Sequence, residues 1–310
     1  MRVLVTGGAG FIGSHVARAY LEAGHQVIIV DALIGGRRNR APAGAIFHGV
    51  DIRDPGLADV FRAERPEIVS HHAAQANLRR SLDDPIADAE VNVLGTLRLL
   101  ELAARHEARQ FVFSSTAGAL YGEPATLPVN EDDPILPISP YGFHKYLGEQ
   151  YVEYYRRNRG LATVVLRYAN VYGPEQDPST EAGVIAIFTQ AFLAGRAPTV
   201  FGDGTQTRDY VYVGDVAEAN VRTLGRSTPA PVHIATGIEV SVNDLAARLR
   251  ALTGAAVEPR HGPPVPGEVY RISLATARAE RMLGWRPRIA LEEGLRLTVE
   301  WFKAERSRWA

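Results

Sequence analysis

The 310-residue chain carries a formal net charge of −1, with 46% hydrophobic and 22% charged residues and no cysteine. That length suits one large domain or two closely joined ones. The near-neutral charge removes the basic field expected of a nucleic-acid binder, and the missing thiols exclude disulfides, thiolate zinc sites and a cysteine nucleophile.

Taken in chain order, apolar runs bounded by turns alternate with helical segments. Residues 3–6 read as a strand, 11–23 as a helix, and 26–31 and 45–49 as further strands. Strands follow at 68–71 and 111–115, separated by a long helix over 87–105. A helix over 141–157 and a strand over 162–168 complete this half. Near-continuous β-branched runs between helices indicate a parallel sheet buried on both faces, so an α/β, doubly wound parallel sheet is expected. Beyond Asn170, Pro174, Pro178, Pro198, Gly202 and Gly204 break the pattern into shorter pieces. Helices are expected at 215–224, 242–252 and 291–306, and a strand at 232–235. Residues 1–169 therefore read as a nucleotide-binding domain. Residues 170–310 read as a smaller mixed α/β substrate region, some of whose segments return to the first sheet. No apolar run approaches the roughly 20 residues of a membrane span, and residues 1–6 enter a strand without a signal-peptide pattern.

Gly7, Gly10 and Gly13 lie between the first strand and first helix, with Phe11 and Ile12 among them. Such glycines permit a tight turn, close approach of backbone to a pyrophosphate, and helix–strand packing. The helix N-terminus supplies N–H groups and partial positive charge. Asp31, 18 residues after Gly13, ends the second strand, where an acid accepts hydrogen bonds from a ribose diol. It favours NAD over a cofactor bearing a 2′-phosphate. Arg37, Arg38 and Arg40 cut against this, and are read as a solvated loop. Further on, Ser-Pro-Tyr-Gly-Phe-His-Lys (139–145) places Tyr141 and Lys145 four apart, on one helical face. A lysine ammonium and a cationic nicotinamide would lower the phenol's pKa and make it a base for an alcohol proton. Pro140 can open that helix, and Ser114, Ser115 and Thr116 close a strand upstream with hydroxyls to hold the reacting oxygen. His71, His72 and His144 lack metal-ligand spacing, so no metal is expected.

This set resembles the short-chain dehydrogenase/reductase superfamily. Its length and second half are similar to the extended branch, the NAD-dependent epimerase/dehydratase family. The resemblance runs from residue 1 to about residue 290. It implies further cofactor contacts at Asp51 and Ile52, at Ala73 and Ala74 after His72, at Asn92, and at Tyr168 in the Arg-Tyr-Ala-Asn-Val-Tyr-Gly-Pro run (167–174). Substrate contacts are implied at Asn170, at Arg208 in Thr-Arg-Asp-Tyr-Val (207–211), and at Arg271 after Gly267 and Glu268. Gly183 and Val184 would cover the base, with Phe188 and Phe201 either near it or, equally, in the core. Where the branch often carries an Asp four residues after that arginine, this chain has Ala275, which leaves the local architecture open.

Thr116 is followed by Ala-Gly-Ala-Leu-Tyr-Gly (117–122), without the carboxylate of the dehydratases or decarboxylases. The resemblance therefore implies 4-epimerisation of a UDP-hexose, most closely UDP-glucose and UDP-galactose. Tyr141 would be the base, Lys145 its partner, and Thr116 or Ser115 the ligand of the sugar's 4-oxygen. Alternatives are epimerisation of UDP-N-acetylglucosamine or UDP-glucuronate, a reductase using the phosphorylated cofactor, and a non-catalytic NAD sensor. A cytoplasmic homodimer is implied, paired through the helices around Leu94, Leu97, Leu147 and Tyr151.

Overall fold

The computed structural model describes residues 1–179, 183–264 and 269–305. Arg306 and the Gly267–Glu268 pair lie outside the described residues. The first half runs β1 (Arg2–Thr6), α1 (Phe11–Glu22), β2 (Gln26–Val30), β3 (Ile46–His48), α2 (Leu57–Glu64) and β4 (Ile68–His71). It continues through α3 (Leu78–Asp83), α4 (Pro85–Ala89), a wide π-helical turn (Glu90–Gly95), α5 (Thr96–Arg105), β5 (Gln110–Thr116), α6 (Pro140–Arg159) and β6 (Ala162–Tyr168). The second half holds β7 (Asn170–Tyr172), α7 (Val184–Leu193), β8 (Thr199–Phe201), β9 (Thr207–Arg208), β10 (Tyr210–Tyr212), α8 (Val213–Thr223) and β11 (Val232–Ile234). It ends with β12 (Val240–Ser241), α9 (Val242–Thr253), β13 (Arg260–Gly262), α10 (Ala277–Leu283) and α11 (Leu291–Ala304).

The central sheet is parallel, in the order β11-β6-β5-β4-β1-β2-β3. Period-two alternation divides its side chains between two cores. Val3, Val5, Val112 and Val164 join Val16 and Ala17 of α1 and Val216 of α8. Leu4, Ile28, Val69, Phe111 and Phe113 join Phe61, Leu99, Leu100 and Val152 on the other face. The strand expected over 232–235 is β11, which crosses back to pair with β6, and α8 packs on α1. The two halves of the chain thus share one sheet. A third core of Ile185, Phe188, Leu245, Leu249, Leu295 and Val299 knits α7, α9 and α11. Around it lie three two-stranded ladders, β10-β7, β12-β9 and β13-β8.

The helix expected over 87–105 begins two residues early. Asp84 caps it by accepting the Ala87 N–H at 2.9 Å, and Pro85 occupies its first turn. It then widens at 90–95 before resuming α geometry.

Candidate active site

Gly7 follows β1 with φ +68° and donates its N–H to the Val30 carbonyl at 2.9 Å. A Cβ on Gly7 would stand 2.7 Å from the Ala73 nitrogen, and one on Gly13 only 2.1 Å from the Gly7 oxygen. Gly10 caps α1 with no side chain on the helix end. Backbone therefore packs tightly around a bare helix N-terminus, which fits a pyrophosphate. Phe11 is buried and Ile12 packs on the first core.

Asp31 is held beside this turn. Its Oδ2 accepts the Ala9 N–H at 2.9 Å and its Oδ1 the Leu33 N–H at 2.8 Å. Each oxygen keeps a lone pair for a ribose hydroxyl. Of the three arginines that follow, Arg37 and Arg38 are exposed, as a solvated loop would have them, and Arg40 is buried. Arg37 pairs with Asp177, Arg40 is buried and donates to the Glu175 carbonyl, and Arg38 stacks 4.2 Å over the Phe47 ring. Protein groups engage all three, which supports a diol rather than a phosphate at Asp31. Glu175 also meets Arg18 at 3.0 Å and Ser14 at 3.5 Å. Residues 173–179 thus form a strap from the second half, fastened to α1 and to the loop after Asp31. Further along, Asp51 spends its carboxylate on Arg53, whose hydrogen bonds hold it below the usual carboxylate range, and Ile52 is buried against Gly95.

α6 starts at Pro140, with Ser139 as its cap accepting the Gly142 N–H at 3.2 Å. A Cβ on Gly142 would lie 2.2 Å from the Ala119 oxygen, so this first turn packs on the segment after Thr116. Lys145 is 5% exposed, with its ammonium 4.8 Å from the centre of the Phe113 ring. Among the described residues, no protein group bonds the tips of Tyr141, Lys145 or Thr116. A buried ammonium without a hydrogen bond is costly, and the hydroxyls of a nicotinamide ribose would satisfy it. These residues fit the dinucleotide.

The field at the phenol differs from that expected of a YxxxK pair. Burial pushes the Tyr141 phenol up, and Asp88 pushes it further. Burial brings Lys145 itself down to about 8, partly offset by Glu149 and Asp88. The protein alone therefore keeps the base protonated, because the water-poor pocket penalises both charged forms.

Strand alternation separates the three hydroxyls. Ser115 faces away from its neighbours and donates to Glu149 at 2.5 Å, inside a buried network where Arg167 clasps Glu149 at 2.7 Å. It is structural, which leaves Thr116 as the open hydroxyl. Ser114 meets the His72 Nδ1 at 2.7 Å and the Tyr168 hydroxyl at 3.3 Å, and the latter accepts from Asn220 at 2.8 Å. Ser114 and the Tyr168 hydroxyl thus support the loop after β4. Ala73 is tethered there through its N–H to Thr6 at 3.2 Å, with Ala74 following. Asn92 also acts on this loop, because both ends of its amide bond the Gln75 backbone, at 3.1 and 2.9 Å. His72 spends its other nitrogen on Ser70, and His71 bonds Thr6 and Thr96. Burial drives His72 to about 3 and His71 well down. Among the described residues no histidine–carboxylate group could hold a metal.

The residues expected to meet the substrate lie in a more open setting. Asn170 is exposed beside Gly118 and bonds the Asp209 carbonyl at 2.9 Å. Gly183 caps α7 and Val184 is its first residue, with Gln176 pressed against Gly183. Phe188 is not at the base: it is buried in the third core against Phe192. Its spacing from Ile185 and Phe192 on α7 marks a core stripe. Phe201 is 40% exposed, with the Arg79 guanidinium 5.6 Å over its ring. Arg208 donates to the carbonyls of Thr207 and Tyr270 at 2.9 and 3.3 Å. Arg271 makes a two-pronged pair with Glu239 at 2.9 and 2.8 Å. Ala275 leaves its loop intact, since its N–H meets the Val129 carbonyl at 2.8 Å and its carbonyl pairs with His233 at 3.2 Å.

Reasoning from sequence missed Asp88, Gln75 and Glu149. A signal for the first was present: Asp88, Asn92 and Thr96 recur every four residues on one helix, and all three are buried.

The profile of the NAD dependent epimerase/dehydratase family matches residues 3–235, ending just past β11. A UDP-glucose 4-epimerase of Mycolicibacterium smegmatis is 43% identical over 98% of this chain and 99% of its own length. The crystal structure of Thermotoga maritima UDP-glucose 4-epimerase with UDP-glucose is 46% identical, with a TM-score of 0.96, covering 98% of this chain and 99% of that one. Thermus thermophilus UDP-glucose 4-epimerase complexed with NAD is 44% identical, with a TM-score of 0.93 and the same coverage.

Proposed function

The chain belongs to the NAD-dependent epimerase/dehydratase family, and from that premise we infer that it is a 4-epimerase interconverting UDP-glucose and UDP-galactose. The observation that carries this reading is the make-up of the Tyr141 pocket. It offers a phenol, an ammonium and a threonine hydroxyl, while the carboxylates around it are committed. Asp88 serves Gln75 and His144, and Glu149 serves Arg167 and Ser115. A base without a free acid suits loss and return of one hydrogen better than elimination of water.

Bound there, NAD would supply reversible hydride exchange at the sugar C4. Gly7, Gly10 and Gly13 receive its pyrophosphate and Asp31 its ribose diol. Tyr141 removes the proton from the 4-hydroxyl. Because burial keeps this phenol protonated, it becomes a base only once a cation stands beside it, so the base forms with the complex. Lys145 contributes part of that charge and holds the ribose. Thr116 hydrogen-bonds the 4-oxygen. The 4-keto sugar then turns about its phosphate linkage, and Tyr141 returns the proton as hydrogen re-enters from the other face. Arg208, Arg271 and Asn170 hold the diphosphate end, Arg271 by exchanging Glu239 for phosphate oxygens. Gly183, Val184 and Phe201 border the base.

The protein is proposed to work as a cytoplasmic homodimer. Among the described residues no helix is long and apolar enough to cross a membrane. Leu82, Ile86, Leu94, Phe143 and Tyr154 stand exposed on α3, α4, the wide turn and α6, whereas Leu97 and Tyr151 pack inward. Leu94→Glu should yield monomers in analytical ultracentrifugation.

The deciding experiment is proton NMR of the purified protein with UDP-galactose and no added NAD. UDP-glucose should appear. No conversion, with NAD then added, overturns the assignment; conversion of UDP-N-acetylgalactosamine or UDP-glucuronate alone changes the substrate.

A further inference from the structure

Three polar residues share the inner side of the helix spanning 85–105: Asp88, Asn92 and Thr96 are 1%, 2% and 1% exposed. Buried polar groups persist where every bond is made, and here each bond reaches a part of the site. Thr96 meets the His71 Nε2 at 2.9 Å. Asn92, carried on the wide turn, clasps the Gln75 backbone from both sides. The Asp88 Oδ1 accepts from the Gln75 Nε2 at 2.7 Å, and its Oδ2 meets the His144 Nδ1 at 2.6 Å. The Gln75 amide cannot turn, because Asn77 bonds both of its ends, at 2.7 and 2.9 Å. His144 lies three residues after Tyr141 and immediately before Lys145. One carboxylate therefore joins the loop that borders the glycine turn to the helix that bears the base.

Resting on the epimerase reading, we propose that Asp88 is a positioning residue, clamping the cofactor-side loop to the Tyr141/Lys145 helix and so fixing the gap across which hydrogen is transferred. Such a gap is tight, since reacting atoms need about 3–3.5 Å and a 1 Å error can cost about 100-fold. Asp88 also stands in the field of the phenol and of the lysine. The charged and titratable groups around it are Tyr141, His144 and Lys145 on α6, and His72 on the loop. On the elements packed beside it, Arg79, Arg80, Asp83, Asp84 and Glu90 are all exposed. Glu149 acts on Lys145 from the far side.

The test uses the full chain with its NAD. Asp88→Ala should lower kcat for UDP-galactose about 10- to 100-fold with KM within about twofold. Asp88→Asn keeps a group able to bond both partners, so it should restore most of kcat. Removing the charge favours phenolate, so Tyr141 in Asp88→Asn should titrate at lower pH than in the parent. The phenolate difference spectrum of each protein against its Tyr141→Phe counterpart reads this without any substrate. An unmoved Tyr141 titration, or Asp88→Ala with unchanged kcat, overturns the proposal. If Asp88→Ala does not fold, the titration of Asp88→Asn decides. A parent inactive on UDP-galactose would refute the epimerase reading, and the Tyr141 titration would then decide the role of Asp88 by itself.

Discussion

The two ends of the cleft are built differently. At the end proposed to receive the sugar C4, Tyr141, Lys145 and Thr116 rest on the central sheet, and the groups behind them are buried with their bonds made. At the end proposed to receive the diphosphate, Arg208 and Arg271 come from two-residue β9 and a surface loop. Their guanidinium groups sit on carbonyls and on Glu239, half in solvent. The first end is built before any ligand arrives; the second must exchange protein partners for ligand. Reaction type should therefore depend on few, irreplaceable side chains, and affinity on several, each worth little.

The largest effect should come from Tyr141→Phe. Turnover should fall by about 10³-fold or more, with fold and bound NAD retained; near-normal turnover would break the contrast outright. Lys145→Met should also abolish most turnover while making the apoprotein more stable. The lysine's pKa is 10.5 when free and about 8 in the fold. Because the unfolded chain holds the proton more tightly, stability rises with pH between those values and is penalised below them. Removing the amine should relieve on the order of 3 kcal/mol at pH 7, read by urea unfolding of both apoproteins, and the gain should vanish above pH 10. Arg271→Ala should raise KM about tenfold, roughly 1.4 kcal/mol, and leave kcat nearly unchanged. A kcat loss equal to that of Tyr141→Phe would show that the two ends are not separable. The smallest effect is expected at the strap. Asp177→Asn should speed NAD release a few-fold in a filter-retention assay, with the difference shrinking as salt screens the Arg37 pair.

The same contrast governs what could be read in advance. Gly7, Gly10 and Gly13 share one turn and Tyr141 and Lys145 one helix face, so their grouping is local, and Asp31 was placed by its position at the end of the second strand. The doubly wound sheet was legible because its strands are apolar on both faces. Of the alternatives left open, alternation turns Ser115 from Thr116 toward Glu149, and helical spacing puts Phe188 in the core. The Asp88–Gln75 and Glu149–Arg167 contacts join residues 13 and 18 apart, and the Arg271–Glu239 pair residues 32 apart. No local period encodes such pairings. The direction of the Tyr141 shift was also beyond sequence, because it depends on how much water the folded pocket admits.

The wide turn at 90–95 imposes a different kind of constraint, on counting rather than chemistry. A π turn holds one residue more than the α turn it replaces. Deleting one of the six would let the helix close into ordinary α geometry with its two flanks still in register, whereas a deletion in the regular turns on either side would rotate one flank against the other by about 100°. In those turns, either Asp88 would leave Gln75, or Leu99 and Leu100 would leave the core. The wide turn is therefore the one place between Asp88 and Leu99 where a single-residue deletion should be tolerated.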